Sequence, residues 1–132
     1  MIFADTGAFV ARFLGQDAHH QEVLKAWQRL ERSGKQVFTS NFVIDEVLTL
    51  TGRRAGYQFA AERGRNLYLS QILTILRPED DDEQAALSLF LKYADQRVSF
   101  TDCVSFALMK KNKIRCAFSF DRHFQMAGFK IW

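Results

Sequence analysis

The sequence predicts an α/β fold built on a mostly parallel β-sheet. Short apolar segments alternate along the chain with longer amphipathic segments, which is the order of strands and helices that builds such a sheet. Hydrophobic residues make up 48% of the chain and charged residues 25%, a mixture typical of a globular protein. The length of 132 residues fits one domain, and no linker or repeat divides it. We therefore expect a single domain over residues 1–132.

The strands are predicted where short apolar runs end in polar or turn-forming residues. Five such runs are present, at 2–4, 36–39, 72–76, 116–119 and 129–132, the last as an edge strand. Arg77 and Pro78 end the third run, because proline cannot donate to a strand ladder. Right-handed crossovers between parallel strands then place helices on both faces of the sheet.

Helical segments fill the intervals between these strands. They are predicted at 7–14, 20–32, 41–52, 55–70, 80–93, 99–112 and 122–127. The second segment has an apolar stripe at i, i+1, i+4 and i+7 that starts at Val23, and Gly34 follows it as a stop. Asn41 is expected to cap the third helix. The acidic run 80–83 suits the positive end of the dipole of the fifth helix.

Four carboxylates are predicted to gather at one edge of this sheet. Asp5 directly follows the first strand and Asp121 follows the fourth, and functional groups of parallel sheets collect at the carboxyl ends of strands. Glu46 lies on or beside the apolar stripe of its helix and therefore faces inward. Asp102 lies in the first turn of a helix that is apolar further along.

Each of these acids also has a purely structural interpretation. Asp5 and Asp121 stand where helix N-caps are common, and Asp102 fits a Ser-x-x-Asp capping box with Ser99. A salt bridge to an internal arginine explains an inward Glu46 equally well. Converging acids with no basic partner would repel one another, however, and a hard divalent cation such as Mg²⁺ or Mn²⁺ removes that repulsion. A metal centre therefore explains all four acids together.

Polar and basic side chains beside these acids suggest a polyanionic substrate. The hydroxyls of Thr6 and Ser119 are placed to orient a water or a ligand. The net charge of +3 does not by itself indicate nucleic-acid binding, but the basic residues cluster within 51–70 and 110–115, away from five consecutive acids at 79–83. The candidates for phosphate contacts are Arg53, Arg54, Lys110 and Lys111.

Several other classes of protein and site are excluded by the composition. Cys103 and Cys116 are the only cysteines, too few for a disulfide framework or a four-cysteine zinc site. The three histidines lack the spacing of a zinc site and are assigned no role. No apolar run approaches the roughly 18–20 residues of a membrane span, and the N-terminus lacks the pattern of a signal peptide. We expect a cytoplasmic protein with reduced thiols and no membrane partner.

Four stretches of the chain resemble the motifs of PIN-domain proteins, specifically the single-domain VapC-like toxin ribonucleases. They read IFADTGAF at 2–9, NFVIDEVLTL at 41–50, SFTDCVSF at 99–106 and AFSFDRHF at 117–124, followed by GF at 128–129. Their order and intervals match over essentially the whole chain. The resemblance implies a three-layer α/β/α sandwich around a mostly parallel sheet of four or five strands.

The resemblance also implies an activity and its partners. It implies an Mg²⁺- or Mn²⁺-dependent endoribonuclease that hydrolyses phosphodiester bonds in structured RNA, tRNA or rRNA, as the toxin of a type II toxin–antitoxin pair. Homodimers and a small antitoxin that covers the acidic site are implied as well. The acidic quartet of the family falls on Asp5, Glu46, Asp102 and Asp121, and its small polar residues fall on Thr6 and Ser119. We expect Asp5, Asp102 and Asp121 to hold the metal, with Glu46 as a further ligand or as the group that positions the attacking water.

Other functions remain open at this point. A nuclease acting on single-stranded or flap DNA would use the same metal site. A non-catalytic RNA-binding module would use the acids only as helix caps and arginine partners. A phosphatase or receiver-like protein with an aspartate nucleophile is a third alternative, but it gives no role to Glu46.

Overall fold

Five strands form one parallel sheet in the computed structural model, which describes residues 1–132. They are β1 (Ile2–Ala4), β2 (Val37–Ser40), β3 (Leu73–Leu76), β4 (Cys116–Phe118) and β5 (Lys130–Ile131), in the spatial order β3-β2-β1-β4-β5. Every neighbouring pair is parallel. The predicted α/β class is confirmed, and each strand lies within one residue of its predicted bounds.

Seven α-helices connect the strands. They are α1 (Thr6–Phe13), α2 (His20–Ser33), α3 (Asn41–Ala55), α4 (Tyr57–Leu69), α5 (Asp80–Lys92), α6 (Phe100–Lys111) and α7 (Arg122–Met126), with a 3₁₀ turn at Ala94–Gln96 that was not predicted. Because parallel crossovers are right-handed, the reversal of strand order after β3 places α1–α4 on one face and α5–α7 on the other. The result is the expected three-layer sandwich. No helix combines the length and the apolar composition of a membrane span.

The reversal of strand order puts β1 and β4 side by side in the middle of the sheet. Ala4 stands opposite Phe118 in this pairing, and the N–H of Asp5 donates to the carbonyl of Phe118 at 3.1 Å. The residues that follow the two strands therefore leave the sheet next to each other. In α/β sheets, the crevice outside the carboxyl ends at such a reversal is where ligands bind.

The cap of α3 differs from the prediction. Ser40, not Asn41, is the N-cap, and its hydroxyl accepts the N–H of Val43 at 3.1 Å. Ser40 retains the extended backbone of β2, which is the conformation that an N-cap needs, whereas Asn41 is already helical. The helix also extends three residues beyond its predicted end, and Gly56, with φ of 96°, separates it from α4.

The predicted capping box of α6 is only half formed. The Ser99 hydroxyl accepts the N–H of Asp102 at 3.1 Å, but the Asp102 carboxylate does not return a hydrogen bond to the Ser99 backbone. A complete box is found instead at the start of α5, between Glu79 and Asp82. The carboxylate of Asp102 is therefore not engaged as a cap.

Trp27 connects three elements of the core. Its indole N–H donates to the carbonyl of Ala8 in α1 at 3.0 Å. Its ring lies 5.4 Å from the ring of Phe9 and 5.3 Å from that of Phe118 in β4. The side chain is 3% exposed, so it fills space next to the strand that leads to Asp121.

We expect Trp27→Ala to lower the free energy of unfolding by about 3–5 kcal/mol, because it removes a buried aromatic ring and leaves a cavity. Urea denaturation followed by circular dichroism measures the effect. Leu69→Ala is the control, since Leu69 is 75% exposed and its truncation should change stability by no more than about 0.5 kcal/mol. Equal stability of the two variants would contradict this description of the core.

Candidate functional site

The four predicted acids lie in one cleft at the carboxyl edge of the sheet, with a volume of about 630 Å³. They come from four elements, namely the end of β1, the middle of α3, the first turn of α6 and the loop after β4. The lining residues are Asp5, Thr6, Gly7, Glu46, Arg97, Ser99, Asp102, Phe120, Asp121, Arg122 and His123. The fold thus brings together acids from opposite ends of the chain.

Asp5 is the most deeply buried of the four, with 5% of its surface exposed. The Ser119 hydroxyl donates to its Oδ2 at 2.8 Å, and the same hydroxyl oxygen accepts the N–H of Asp121 at 3.0 Å. The other oxygen, Oδ1, is buried without any hydrogen-bond partner. Burial raises the pKa of Asp5 to about 6, against the lowering effect of the Ser119 hydrogen bond.

Asp102 is 7% exposed and faces the other acids of the cleft. Its pKa is raised to about 8, chiefly by burial and additionally by the charges of Asp5 and Asp121. A hydrogen bond with the carboxyl group of Asp121 acts in the same direction. A raised pKa is expected in an acid cluster that no lysine or arginine contacts directly.

Glu46 is half-buried and faces the cleft from α3, as its position on the helix predicts. Burial raises its pKa, while the nearby hydroxyls of Thr101 and Thr6 lower it. The Thr6 hydroxyl makes no hydrogen bond of standard geometry, so its oxygen is another buried atom without a partner. Asp45, the next acid along the chain, is exposed.

The salt-bridge interpretation of these acids is wrong. No Lys or Arg nitrogen lies within 4.0 Å of a carboxylate oxygen of the four acids. The nearest basic atom is Nδ1 of His123, which lies 2.8 Å from Oδ1 of Asp121. The cleft therefore concentrates negative charge without a paired cation.

A hard divalent cation fits this donor set. Carboxylate and hydroxyl oxygens are the ligands that Mg²⁺ and Mn²⁺ prefer. Asp5 and Thr6 each present a buried oxygen that lacks a partner. Atoms suited to metal ligation on Asp102, Asp121 and His123 lie within 4.8 Å of one another. A cation would pair directly with acids that no lysine or arginine nitrogen approaches within 4.0 Å.

The four basic residues predicted to bind RNA do not line the cleft. Arg53 and Arg54 lie in the last turn of α3, and Arg54 lines a separate pocket next to the end of α1. Lys110 and Lys111 lie at the opposite end of α6 from Asp102. The Lys111 ammonium donates to Asp82 at 3.1 Å and so balances the acidic start of α5. RNA contact by these four residues stays a prediction.

Two arginines line the cleft that the sequence did not predict as site residues. Arg97 has a left-handed backbone, with φ of 56°, and lies two residues before the cap of α6. Arg122 follows Asp121 directly. Neither makes a salt bridge. The position of Arg122 beside Asp121 is a signal that could have found it, whereas the placement of Arg97 depends on the unpredicted 3₁₀ turn.

An aromatic residue at the cleft was also not singled out. Phe120 lies between Ser119 and Asp121 and is 40% exposed. Its ring stacks on that of His19 with 4.2 Å between centroids and 11° between planes. The pair forms a flat surface beside the acids.

Comparisons with known proteins agree with this architecture. The PIN domain family matches residues 2–130. The 23S rRNA-specific endonuclease VapC20 of Mycobacterium tuberculosis is 34% identical over 129 residues, which are 98% of this chain and 95% of that protein. The crystal structure of VapC20, described as a sarcin–ricin loop cleaving toxin, has a TM-score of 0.87 at 33% identity and covers 98% of this chain and 96% of that one.

More distant proteins are also similar, one in sequence and one in structure. The VapC ribonuclease of Archaeoglobus fulgidus is 26% identical over 125 residues, which are 92% of this chain and 78% of that protein. FitAcB from Neisseria gonorrhoeae has a TM-score of 0.70 at 17% identity, covering 100% of this chain and 96% of that one.

The raised pKa values predict that the stability of the metal-free protein depends on pH. Asp5 and Asp102 have folded pKa values of about 6 and about 8, above an unfolded value of roughly 4. The folded state therefore binds more protons than the unfolded state, so the free energy of unfolding should fall as pH rises from about 4 to about 8. Urea midpoints measured in EDTA across this range test the prediction.

Asp102→Asn should raise the urea midpoint at pH 8 and flatten its fall between about pH 6 and 8, because the amide stays neutral. Asp95→Asn, at an exposed position outside the cleft, is the matched control and should keep the native slope. A native protein whose stability stays constant or rises over this range in EDTA would show that the acids do not repel one another.

Proposed function

Because the chain belongs to the PIN-domain family, and within it to the VapC-like ribonucleases, we propose that residues 1–132 form a single divalent-metal-dependent endoribonuclease domain. The observation that carries this proposal is the meeting of four carboxylates, without a paired lysine or arginine, where the strand order reverses. Such a cluster is costly to the fold unless a cation compensates it.

We assign the metal ligands to Asp5, Asp102 and Asp121. Ser119 holds Oδ2 of Asp5 and the backbone N–H of Asp121 with one hydroxyl, so it fixes two of these ligands relative to each other. An ion held by these residues would supply positive charge to a scissile phosphate and to an attacking water. Mg²⁺ and Mn²⁺ both suit the oxygen donors.

Glu46 is proposed to orient the attacking water or to complete the ligand set. Its side chain is half-buried, so it reaches the cleft while keeping access to water. Burial raises its pKa, which strengthens it as a proton acceptor relative to a fully solvated glutamate. Thr6, whose hydroxyl oxygen lacks a partner, supplies a further contact for a water or a phosphate oxygen.

We infer that Arg97 and Arg122 contact the phosphates on either side of the cleaved bond. Both line the cleft, and neither is engaged by a protein carboxylate. Guanidinium groups bind phosphate oxygens in a bidentate manner, which positions the backbone of a nucleic acid. Arg53, Arg54, Lys110 and Lys111 remain candidates for more distant phosphates.

The proposed substrate class is structured ribosomal RNA. VapC20, at 34% identity, is described as specific for 23S rRNA and as cleaving the sarcin–ricin loop. A loop displays bases that are not stacked in a helix, and the flat His19–Phe120 pair beside the acids fits contact with such a base. Transfer RNA is the alternative among structured RNAs.

A small antitoxin and a homodimer are the proposed protein partners. VapC20 is described as a toxin, and a toxin made by its own cell must be restrained. An open acidic cleft would accept a basic side chain from such a protein. An exposed apolar stripe on α5, formed by Leu87, Phe90 and Leu91, supports association with a second copy. A cytoplasmic location stays a prediction.

Asp5→Asn and Glu46→Gln should reduce RNA cleavage at least about 100-fold, because each removes a charge that holds the ion or the water. Cleavage of a sarcin–ricin loop RNA, a tRNA and a matched single-stranded DNA in Mg²⁺ or Mn²⁺ measures this. Asp45→Asn is the matched control, since Asp45 is adjacent to Glu46 but exposed, and it should cleave at the native rate.

The outcomes separate the alternatives. Preferential cleavage of the DNA would favour the DNA nuclease. No cleavage of any polymer, together with no stabilisation by Mn²⁺, would favour the non-catalytic RNA-binding module. Undiminished cleavage by Asp5→Asn would overturn the site assignment.

Arg97→Ala and Arg122→Ala should each raise the KM for RNA about 10-fold, because each removes a charge-assisted contact to phosphate. Each should also reduce the slope of log affinity against log salt by about one. Binding to a slowly cleaved RNA analogue at several salt concentrations measures both effects. Lys25→Ala, at an exposed position on α2 outside the cleft, should change neither quantity.

A further inference from the structure

A hydrogen bond at Nε2 fixes the tautomer of the neutral His123 ring. Its Nε2 lies 3.0 Å from the backbone carbonyl of Gln96, in the 3₁₀ turn before α6. A carbonyl oxygen only accepts hydrogen bonds, so Nε2 carries the hydrogen and donates it. In the neutral ring, Nδ1 is then an acceptor with a free lone pair.

That lone pair lies inside the acidic cleft without a partner. Nδ1 of His123 is buried, and it lies 2.8 Å from Oδ1 of Asp121 without hydrogen-bond alignment. The same Oδ1 already accepts the backbone N–H of His123 at 2.8 Å. Two acceptor atoms at this separation repel each other unless something positive lies beside both.

The position of these two acceptors is set by the start of α7. Asp121 is the N-cap and His123 is the second residue of the helix, so a single turn presents both side chains to the cleft. Asp102, from the first turn of α6, approaches the same point, and the ligating atoms of the three residues lie within 4.8 Å of one another. The His123 side chain is 15% exposed, so water reaches it poorly.

We propose that Nδ1 of His123 is a nitrogen ligand of the divalent cation, alongside the carboxylates of Asp102 and Asp121. The proposal shares with the proposed function only the premise that the cleft binds a cation. Metal-binding histidines characteristically donate their other ring nitrogen to a carbonyl or carboxylate, as Nε2 does to Gln96. The buried atom without a partner and the short acceptor–acceptor distance are both explained by this ligation.

A mixed nitrogen and oxygen donor set selects among metals. Imidazole binds first-row transition metals better than it binds Mg²⁺, which prefers oxygen ligands alone. The proposal therefore predicts that the protein binds Mn²⁺ more tightly than Mg²⁺, and that His123 is responsible for much of the difference. A purely carboxylate centre would show a weaker preference.

Electron spin-echo modulation of the Mn²⁺-loaded full chain tests the ligation directly, because it detects nitrogen bound to the metal. We expect ¹⁴N modulation in the native protein. Labelling its histidines with ¹⁵N should replace that signal, a result that needs no variant. His123→Gln should abolish the signal, while His19→Gln, which removes an imidazole near the mouth of the cleft, should retain it. Absence of nitrogen modulation in the native protein overturns the proposal, as does its persistence in His123→Gln.

Metal titration of the metal-free proteins provides a second readout. His123→Gln should weaken Mn²⁺ binding about 10-fold or more and Mg²⁺ binding less than about 3-fold. Equal losses for the two ions would contradict the proposed selectivity. Nitrogen ligation without RNA cleavage would support this inference and defeat the proposed function, whereas cleavage without nitrogen ligation would do the reverse.

Discussion

Repulsion among like charges, two of them buried, in one cleft is the constraint on which the rest of this site depends. The pairing of β1 with β4 fixes where Asp5 and Asp121 emerge, and the helices on either side bring Glu46 and Asp102 to the same place. Burial and mutual proximity then raise the pKa values of Asp5 and Asp102. Ionisation of these acids opposes folding. A cation that binds the folded state would offset their repulsion and so stabilise the protein.

Hydrogen bonds and packing contacts from the surrounding structure support the acids. Ser119 connects Asp5 to the backbone of Asp121, and Thr39 in β2 donates from its buried hydroxyl to the carbonyl of Ala4 at 2.9 Å. Trp27 packs against the strand that precedes Asp121. These contacts keep the acids close together although their charges repel one another.

Much of the fold and the acidic part of the site could be predicted from the sequence, because both depend on local patterns. Strand ends, apolar spacing and the order of βαβ units suffice to place Asp5, Glu46 and Asp121 at one edge. The assignment of Asn41 as a cap failed because the strand extends one residue further than its apolar run. Arg97 and the orientation of His123 depend on a 3₁₀ turn and on contacts between distant segments, which leave no periodic signal in the sequence.

The two outer strands of the sheet are short, with four residues in β3 and two in β5. Each therefore offers few free backbone groups to an incoming peptide, and strand addition at either edge could form only a small ladder. Other proteins must then recognise this chain mainly through helical surfaces and the mouth of the cleft. The architecture thus limits augmentation of the sheet to a short ladder and makes side-chain complementarity the main determinant of which partners bind.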